Sequence, residues 1–218
     1  MNIGIICAMD KEIIKYQEVF DLKLTNQLLN IYEGIYHDKK IILCLSGIGK
    51  VNSASITQYL IDKYNPSIII NSGCCGSLKD DIKIKDTIIA SYVTYHDFSP
   101  IRIMESCTPD NGLIKASANI IESLEVILKE NQINYHIGGI CSGDSFVTSR
   151  EMRDDIYLRT KCLAVDMESA SVGHVSRKNN IPFVIIRSIS DFADGTTEQE
   201  ESAARVSANI VKKYIDSI

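Results

Sequence analysis

The chain lacks most features that announce a nucleic-acid, membrane or metal protein. Lys and Arg number 23 against 28 Asp and Glu, a net charge of −5, and the basic residues are scattered, so no basic stripe waits for a phosphate backbone or an anionic lipid. The N-terminal apolar run, Ile3 to Met9, is short, has no basic residue before it and stops at Asp10-Lys11-Glu12, which argues against a secretory leader and a membrane span. Seven cysteines contain no CxxC and no Cys/His set at zinc spacing, and their number is odd. Disulfides and bound metal are therefore not expected. Small buried thiols fit better, with a redox role left open for the adjacent Cys74 and Cys75. Linkers rich in Pro, Gly or Ser, internal repeats and low-complexity tracts are absent too, so the 218 residues, 45% hydrophobic, read as one domain over 1–218. A cytoplasmic protein that handles a small molecule is the expectation.

Two nucleotide motifs are also missing. Ser46-Gly47-Ile48-Gly49-Lys50-Val51 has Gly47 too close to the lysine for a P-loop, and Val51 stands where a magnesium-binding hydroxyl belongs. The dinucleotide pattern fails at Asn52, which replaces its third glycine. On its own this segment is a tight strand-to-helix turn.

What is present alternates strand and helix. Ile3 to Cys7 reads as a strand and Lys11 to Phe20 as a helix; Leu28 to Tyr36 and Lys40 to Ser46 form a hairpin with its tip at His37-Asp38-Lys39. A helix over Val51 to Tyr64 ends before Pro66, a buried strand follows over Ser67 to Asn71, and Ser72 to Ser77 reads as a Gly-rich turn. Further strands fall at Asp86 to Tyr95 and His136 to Cys141, and further helices at Leu113 to Glu130, Arg150 to Arg159 and Glu198 to Ile218. The class is mixed α/β.

Two acidic motifs stand out against this background. Leu163-Ala164-Val165 is a short strand leading to Asp166-Met167-Glu168 at a helix start, and the apolar strand Phe183 to Ile186 runs into Arg187, Ser188, Ser190 and Asp191. Ligands of open α/β sheets gather at the carboxyl ends of strands, where both carboxylates arrive. Taken singly, each residue has a plain structural reading. Glu12 and Glu168 suit a first helical turn, Asp191 a capped loop, Phe146 a core, and Arg187 a bridge to Asp166 or Glu168.

Taken together they carry a resemblance. Gly4 to Met9 with Glu12, Ser46 to Val51, Ser142-Gly143-Asp144-Ser145-Phe146, Val165-Asp166-Met167-Glu168 and Ser190-Asp191 occur in the order and spacing of the 5′-methylthioadenosine/S-adenosylhomocysteine nucleosidases, across essentially the whole chain. The resemblance implies a nucleoside phosphorylase-like α/β domain around a mixed, partly barrel-like sheet flanked by helices. It implies a homodimer and cofactor-free release of adenine from thio-substituted adenosines, as in methionine salvage. Such chemistry needs an acid for the leaving base, a grip on an oxocarbenium-like sugar and a base for water. Carried onto matching positions, Asp191 protonates adenine N7 with Ser190 orienting it, and Glu12 activates water beside Arg187. Glu168 holds ribose hydroxyls, Met167 packs on the sugar, Phe146 stacks on adenine and the Phe146-Val147 backbone reads the base edge. Met9 and Ile48 meet the thioether, while Cys74, Cys75 and Gly76 border the substrate.

Two departures bear on substrate handling. Cys74 stands where the family commonly has a serine that helps hold the water, and a thiol is the poorer donor. The stretch Asp97 to Asn111, which resembles the family's 5′ pocket across the dimer, is short here. Three other readings share part of this pattern. A phosphorylase would want arginines where Asp10-Lys11-Glu12 puts acid, a hydrolase of aminofutalosine, futalosine or AMP would differ in its base and 5′ contacts, and a binding protein without turnover would not need Glu12, Glu168 and Asp191 together.

Overall fold

Runs of isoleucine decide the centre of the molecule. In the computed structural model, which describes residues 1–196, 199–200 and 202–218, the elements follow one another as β1 (Asn2–Cys7), α1 (Asp10–Phe20), β2 (Lys23–Asn26), β3 (Ile31–Tyr36), β4 (Lys39–Leu45) and α2 (Lys50–Tyr64). Then come β5 (Ile68–Ser77), β6 (Thr87–Tyr95), α3 (Ile101–Cys107), β7 (Ile114–Lys115), α4 (Ala118–Glu130) and β8 (Tyr135–Ser142). The chain finishes with α5 (Arg150–Thr160), β9 (Ala164–Asp166), α6 (Ser169–Lys178), β10 (Phe183–Asp191) and α7 (Ala203–Ser217). Every residue of β5 and β10 is buried, as continuous apolar strands covered on both faces must be.

The strands form one mixed sheet in the order β10-β6-β8-β9-β5-β1-β4-β3-β2, with β7 on β6. Because β10 also pairs in parallel with β5, the strands β5, β10, β6, β8 and β9 close into a ring, and β1, β4, β3 and β2 continue from it as an open sheet. This is the partly barrel-like sheet expected. Alternation sorts its side chains: Ile5, Ile70 and Ile186 pack with Tyr16 and Phe20 of α1 and with α4 and α7, whereas Ile6, Ile69 and Ile185 pack with Leu60 of α2 and with α6. A one-residue slip would exchange the two sets, so the register is strongly fixed.

Several boundaries differ from the sequence reading. Ser72 to Ser77 is no turn but the second half of β5, running straight past Gly73 and Gly76. The helix expected from Leu113 starts only at Ala118, because Ile114 and Lys115 pair with Val93 and Tyr92. The hairpin's first strand begins at Ile31 and not at Leu28. Its tip holds: His37 and Asp38 have φ of 45° and 61°, the two left-handed residues of a tight twisted turn. Neither β2 nor α3 follows from the sequence pattern. The last helix begins at Ala203, and its expected start at Glu198 lies outside the described residues. All seven cysteines are free, and only Cys107 is exposed. No helix among the described residues is long and apolar enough to cross a membrane.

Candidate active site

The carboxyl ends of β1, β5, β9 and β10 converge on a cleft of about 570 Å³, open to solvent. Its lining includes Met9, Glu12, Ile48, Cys74, Cys75, Gly76, Phe146, Val147, Met167, Glu168, Arg187, Ser190 and Asp191, so every site residue expected from the sequence borders one space. Ala8, Ser145, Val165, Asp166, Ala193 and Gln199 line it as well. Ala8, Ser145, Val165 and Asp166 fall within the motifs that carry the resemblance, without a role of their own there, whereas Ala193 and Gln199 have no signal in the sequence.

Glu12 sits in the first turn of α1 and serves that helix first. Its Oε2 accepts the backbone N–H of Met9 at 3.0 Å and of Ala8 at 2.8 Å, so the helix-capping reading is correct. Its Oε1 accepts the Cys74 N–H at 2.9 Å and lies 3.7 Å from Arg187 Nη1. The capping contacts hold the carboxylate still and leave one oxygen beside the cleft wall.

Arg187 is the buried hub. Its Nη2 donates to Glu168 at 3.2 Å and to Asn71 Oδ1 at 2.9 Å and lies 2.9 Å from Asp166 Oδ2 as an ion pair, Nη1 donates to the Cys74 carbonyl at 3.3 Å and Nε to Ser169 Oγ at 3.3 Å. The sequence offered Asp166 and Glu168 as alternative partners; the structure uses both. Burial alone would push the guanidinium pKa down, but Asp166, Glu168 and Glu12 outweigh it and hold Arg187 firmly charged. Glu168, just before α6, also accepts the Gly49 N–H at 2.9 Å. Gly49 has φ of 104° and Gly47 of 79°, so the Ser46–Lys50 segment is the tight turn expected, aimed at Glu168. Burial pushes the Glu168 carboxyl up to about 7, with Arg187 opposing and Asp166 reinforcing the rise.

Asp191 ends β10. Ser190 Oγ donates to its Oδ2 at 2.8 Å and the Ala193 N–H to its Oδ1 at 2.9 Å. A bulge between Ile189 and Asp191 shifts the pairing with β5 and brings Asp191 opposite Gly76. A Cβ there would lie 2.9 Å from Ala193 Cβ and 3.0 Å from Asp191 Oδ1, which accounts for the glycine. Phe146, 58% exposed, leaves a broad aromatic face at the rim, with Val147 buried behind it. The Cys74 thiol is pushed up to about 12, chiefly by burial, and stays protonated. The cleft thus offers four carboxylates, Glu12, Asp166, Glu168 and Asp191, an aromatic rim and a fixed cation.

The family model described as the phosphorylase superfamily matches residues 2–216. The chain belongs to that superfamily. Among its members, a protein of Oceanobacillus iheyensis named 5′-methylthioadenosine/S-adenosylhomocysteine nucleosidase is 36% identical over 98% of this chain and 100% of its own length. The Helicobacter pylori enzyme of the same name superposes with a TM-score of 0.92 at 32% identity, covering 100% of this chain and 99% of that one. A Helicobacter pylori structure described as futalosine hydrolase superposes equally well, at 0.92 with 31% identity, over 100% of this chain and 98% of its own.

Proposed function

We propose that this protein hydrolyses the N-glycosidic bond of 5′-methylthioadenosine and S-adenosylhomocysteine, releasing adenine and a thioribose product. The observation that carries this reading is the joint placement of Glu12, Glu168, Arg187 and Asp191 on one cleft. Adenine stacks on Phe146 with its edge at the Val147 backbone, and Asp191, held by Ser190, gives its proton to N7 as the bond breaks. Glu168 holds the ribose hydroxyls and Met167 packs on the sugar. As positive charge spreads over the ring, the surrounding carboxylates stabilise it. Glu12 takes a proton from the attacking water, with Arg187 beside it.

The lining favours water over phosphate as nucleophile. It holds four carboxylates, Glu12, Asp166, Glu168 and Asp191, against the single cation Arg187 among the described residues, and a phosphate dianion would be repelled there. Adenine release measured with and without phosphate tests the reaction class, and a ribose-1-phosphate product defeats the hydrolase reading.

Futalosine hydrolysis is the second reading, because relatives of both names share this fold, at 32% and 31% identity. Met9 and Ile48 at the cleft suit a thioether better than a polar 5′ group. Parallel assays with methylthioadenosine, S-adenosylhomocysteine, futalosine and adenosine separate them.

The whole span 1–218 works as one domain without a cofactor, and as a homodimer. Ile48 at the cleft, and Phe98, Ile101 and Ile103, are exposed apolar side chains, and Lys50 Nζ ties the Ile48 turn to Asp97 at 2.6 Å, next to Phe98 in the chain. A second subunit on this patch would cover the 5′ substituent. The buried free thiols agree with a reducing cytoplasm.

A further inference from the structure

One buried acid at the cleft is given no role by the reaction just described. Asp166, at the end of β9, is only 8% exposed and gathers donors from three directions. Ser142 Oγ at the end of β8 donates to its Oδ1 at 2.5 Å, and the N–H groups of Glu168 and Ser169 reach the same oxygen at 3.3 and 3.2 Å. The Ser169 hydroxyl and Arg187 Nη2 meet its Oδ2. Ser142 Oγ in turn accepts the Ala170 N–H at 2.9 Å. Asp166 therefore fixes the start of α6, and with it Glu168, against two strands. It also occupies the guanidinium nitrogen that Glu168 uses: Nη2 is 2.9 Å from Asp166 and 3.2 Å from Glu168.

We propose that Asp166 is a positioning residue of this site, which anchors Arg187 and takes up much of its charge so that Glu168 keeps acceptor capacity for ribose hydroxyls and Glu12 for the water proton. This rests on the nucleosidase reading for what the two glutamates do, and on the hydrogen bonds alone for how they are held. Without Asp166, one cation would face two carboxylates at short range, and the stronger ion pair would draw Glu168 and Glu12 onto the guanidinium. Direct repulsion by Asp166 acts in the same sense, since it adds to the rise in the Glu168 carboxyl. The other ionisable groups around Asp166, Glu168 and Arg187 are Glu12 on α1, Cys7 on β1, Cys74 and Cys75 on β5, Cys141 on β8, Cys162 before β9 and Asp191 on β10, with His96 after β6 responding to Asp166. Burial holds the Cys7, Cys74, Cys75 and Cys141 thiols protonated, whereas the Cys162 thiol is lowered, chiefly by its hydrogen bond with Cys141.

Asp166→Asn tests this, because the amide keeps shape and one acceptor while removing the charge. Two readouts are needed, the pH profile of kcat/KM for methylthioadenosine and a 13C-carboxyl NMR titration of Glu168, assigned with Glu168→Gln. The expected result is a Glu168 midpoint about one pH unit lower than in the unmodified protein, the acidic limb of kcat/KM moving with it, and at least a tenfold loss on the plateau. Asp166→Glu, which restores a carboxylate, should bring the midpoint back towards its original place. A loss of rate with both midpoints unmoved would reduce Asp166 to a structural residue and overturn the proposal. If Asp166→Asn does not fold, Ser142→Ala, which removes one donor and keeps the charge, should lower kcat/KM several-fold with the limb unmoved, and full activity there overturns the proposal. An unmodified protein that releases no adenine sinks the nucleosidase reading, while the carboxyl titration still decides for or against Asp166.

Discussion

The Glu12 carboxylate occupies the space that a side chain on residue 73 would fill: a Cβ built on Gly73 would overlap Glu12 Oε1 and lie 2.5 Å from Arg187 Nη1. The glycine is therefore a steric requirement of the site, and Gly73→Ala should displace both groups. Turnover is expected to fall at least a hundredfold with the fold retained, measured as adenine release alongside circular dichroism. Near-normal turnover would mean that Glu12 is not the base.

Glu12→Gln and Asp191→Asn keep their shapes and lose proton transfer. Each should lower kcat by ~10²–10⁴, the range of general acid–base catalysis. Glu12→Gln also weakens the contacts to Met9 and Ala8, so a small drop in melting temperature accompanies it. Single-turnover rates check the assignment, and an active Asp191→Asn would remove the acid from the proposed reaction.

Glu168 links catalysis to stability through pH. Its carboxyl titrates near 7 in the folded chain, above its ordinary value, so its favourable contribution is complete below about pH 4.5 and is lost as the pH rises through about 7. Glu168→Gln removes that dependence. The melting temperatures of the two proteins should diverge in favour of the variant between pH 4.5 and 8, while kcat/KM of the variant collapses. Parallel melting curves across this range would show that Glu168 ionises no differently when folded.

Cys74→Ser replaces a weak donor, held protonated by burial, with a better one beside the Glu12 station. If the side chain helps place the water, turnover should rise two- to tenfold, the value of a hydrogen bond of about 0.5–1.5 kcal/mol. Unchanged kinetics would locate the water elsewhere.

Charge on the apolar rim should uncouple the proposed dimer. Ile101→Asp or Ile103→Asp is expected to weaken self-association in sedimentation and to raise KM for methylthioadenosine more than it lowers kcat, since each methylene returned to water costs about 0.8 kcal/mol. A fully active monomer would reject the shared pocket and leave the catalytic residues in place.

The parts of this protein legible in its sequence are those where local pattern and tertiary role agree. The isoleucine strands and the amphipathic α1 and α4 follow from periodicity, and the acids at strand ends mark the site. Misreadings cluster where the site overrides local preference. Gly73 and Gly76 look like a turn, yet they lie inside β5 because Glu12, Arg187, Asp191 and Ala193 leave no room for a Cβ. Ile114 and Lys115 look helical, and pairing with β6 claims them for the sheet. The double use of Arg187 was hidden for another reason: sequence spacing shows which charges share a strand end, but not that one guanidinium nitrogen serves two of them.

Closure of the sheet through β10 gives that strand a metrical role. Arg187 and Asp191 stand on one rigid element, locked to β5 on one side and β6 on the other, with at most about 13 Å of strand between them at about 3.3 Å per residue. The interval between the water end and the base end of the reaction is thus written in backbone, and no rotamer change can restore it after an insertion or deletion there. Loops around the mouth can lengthen or shorten to suit different 5′ groups, but a nucleoside of different span would need a different strand.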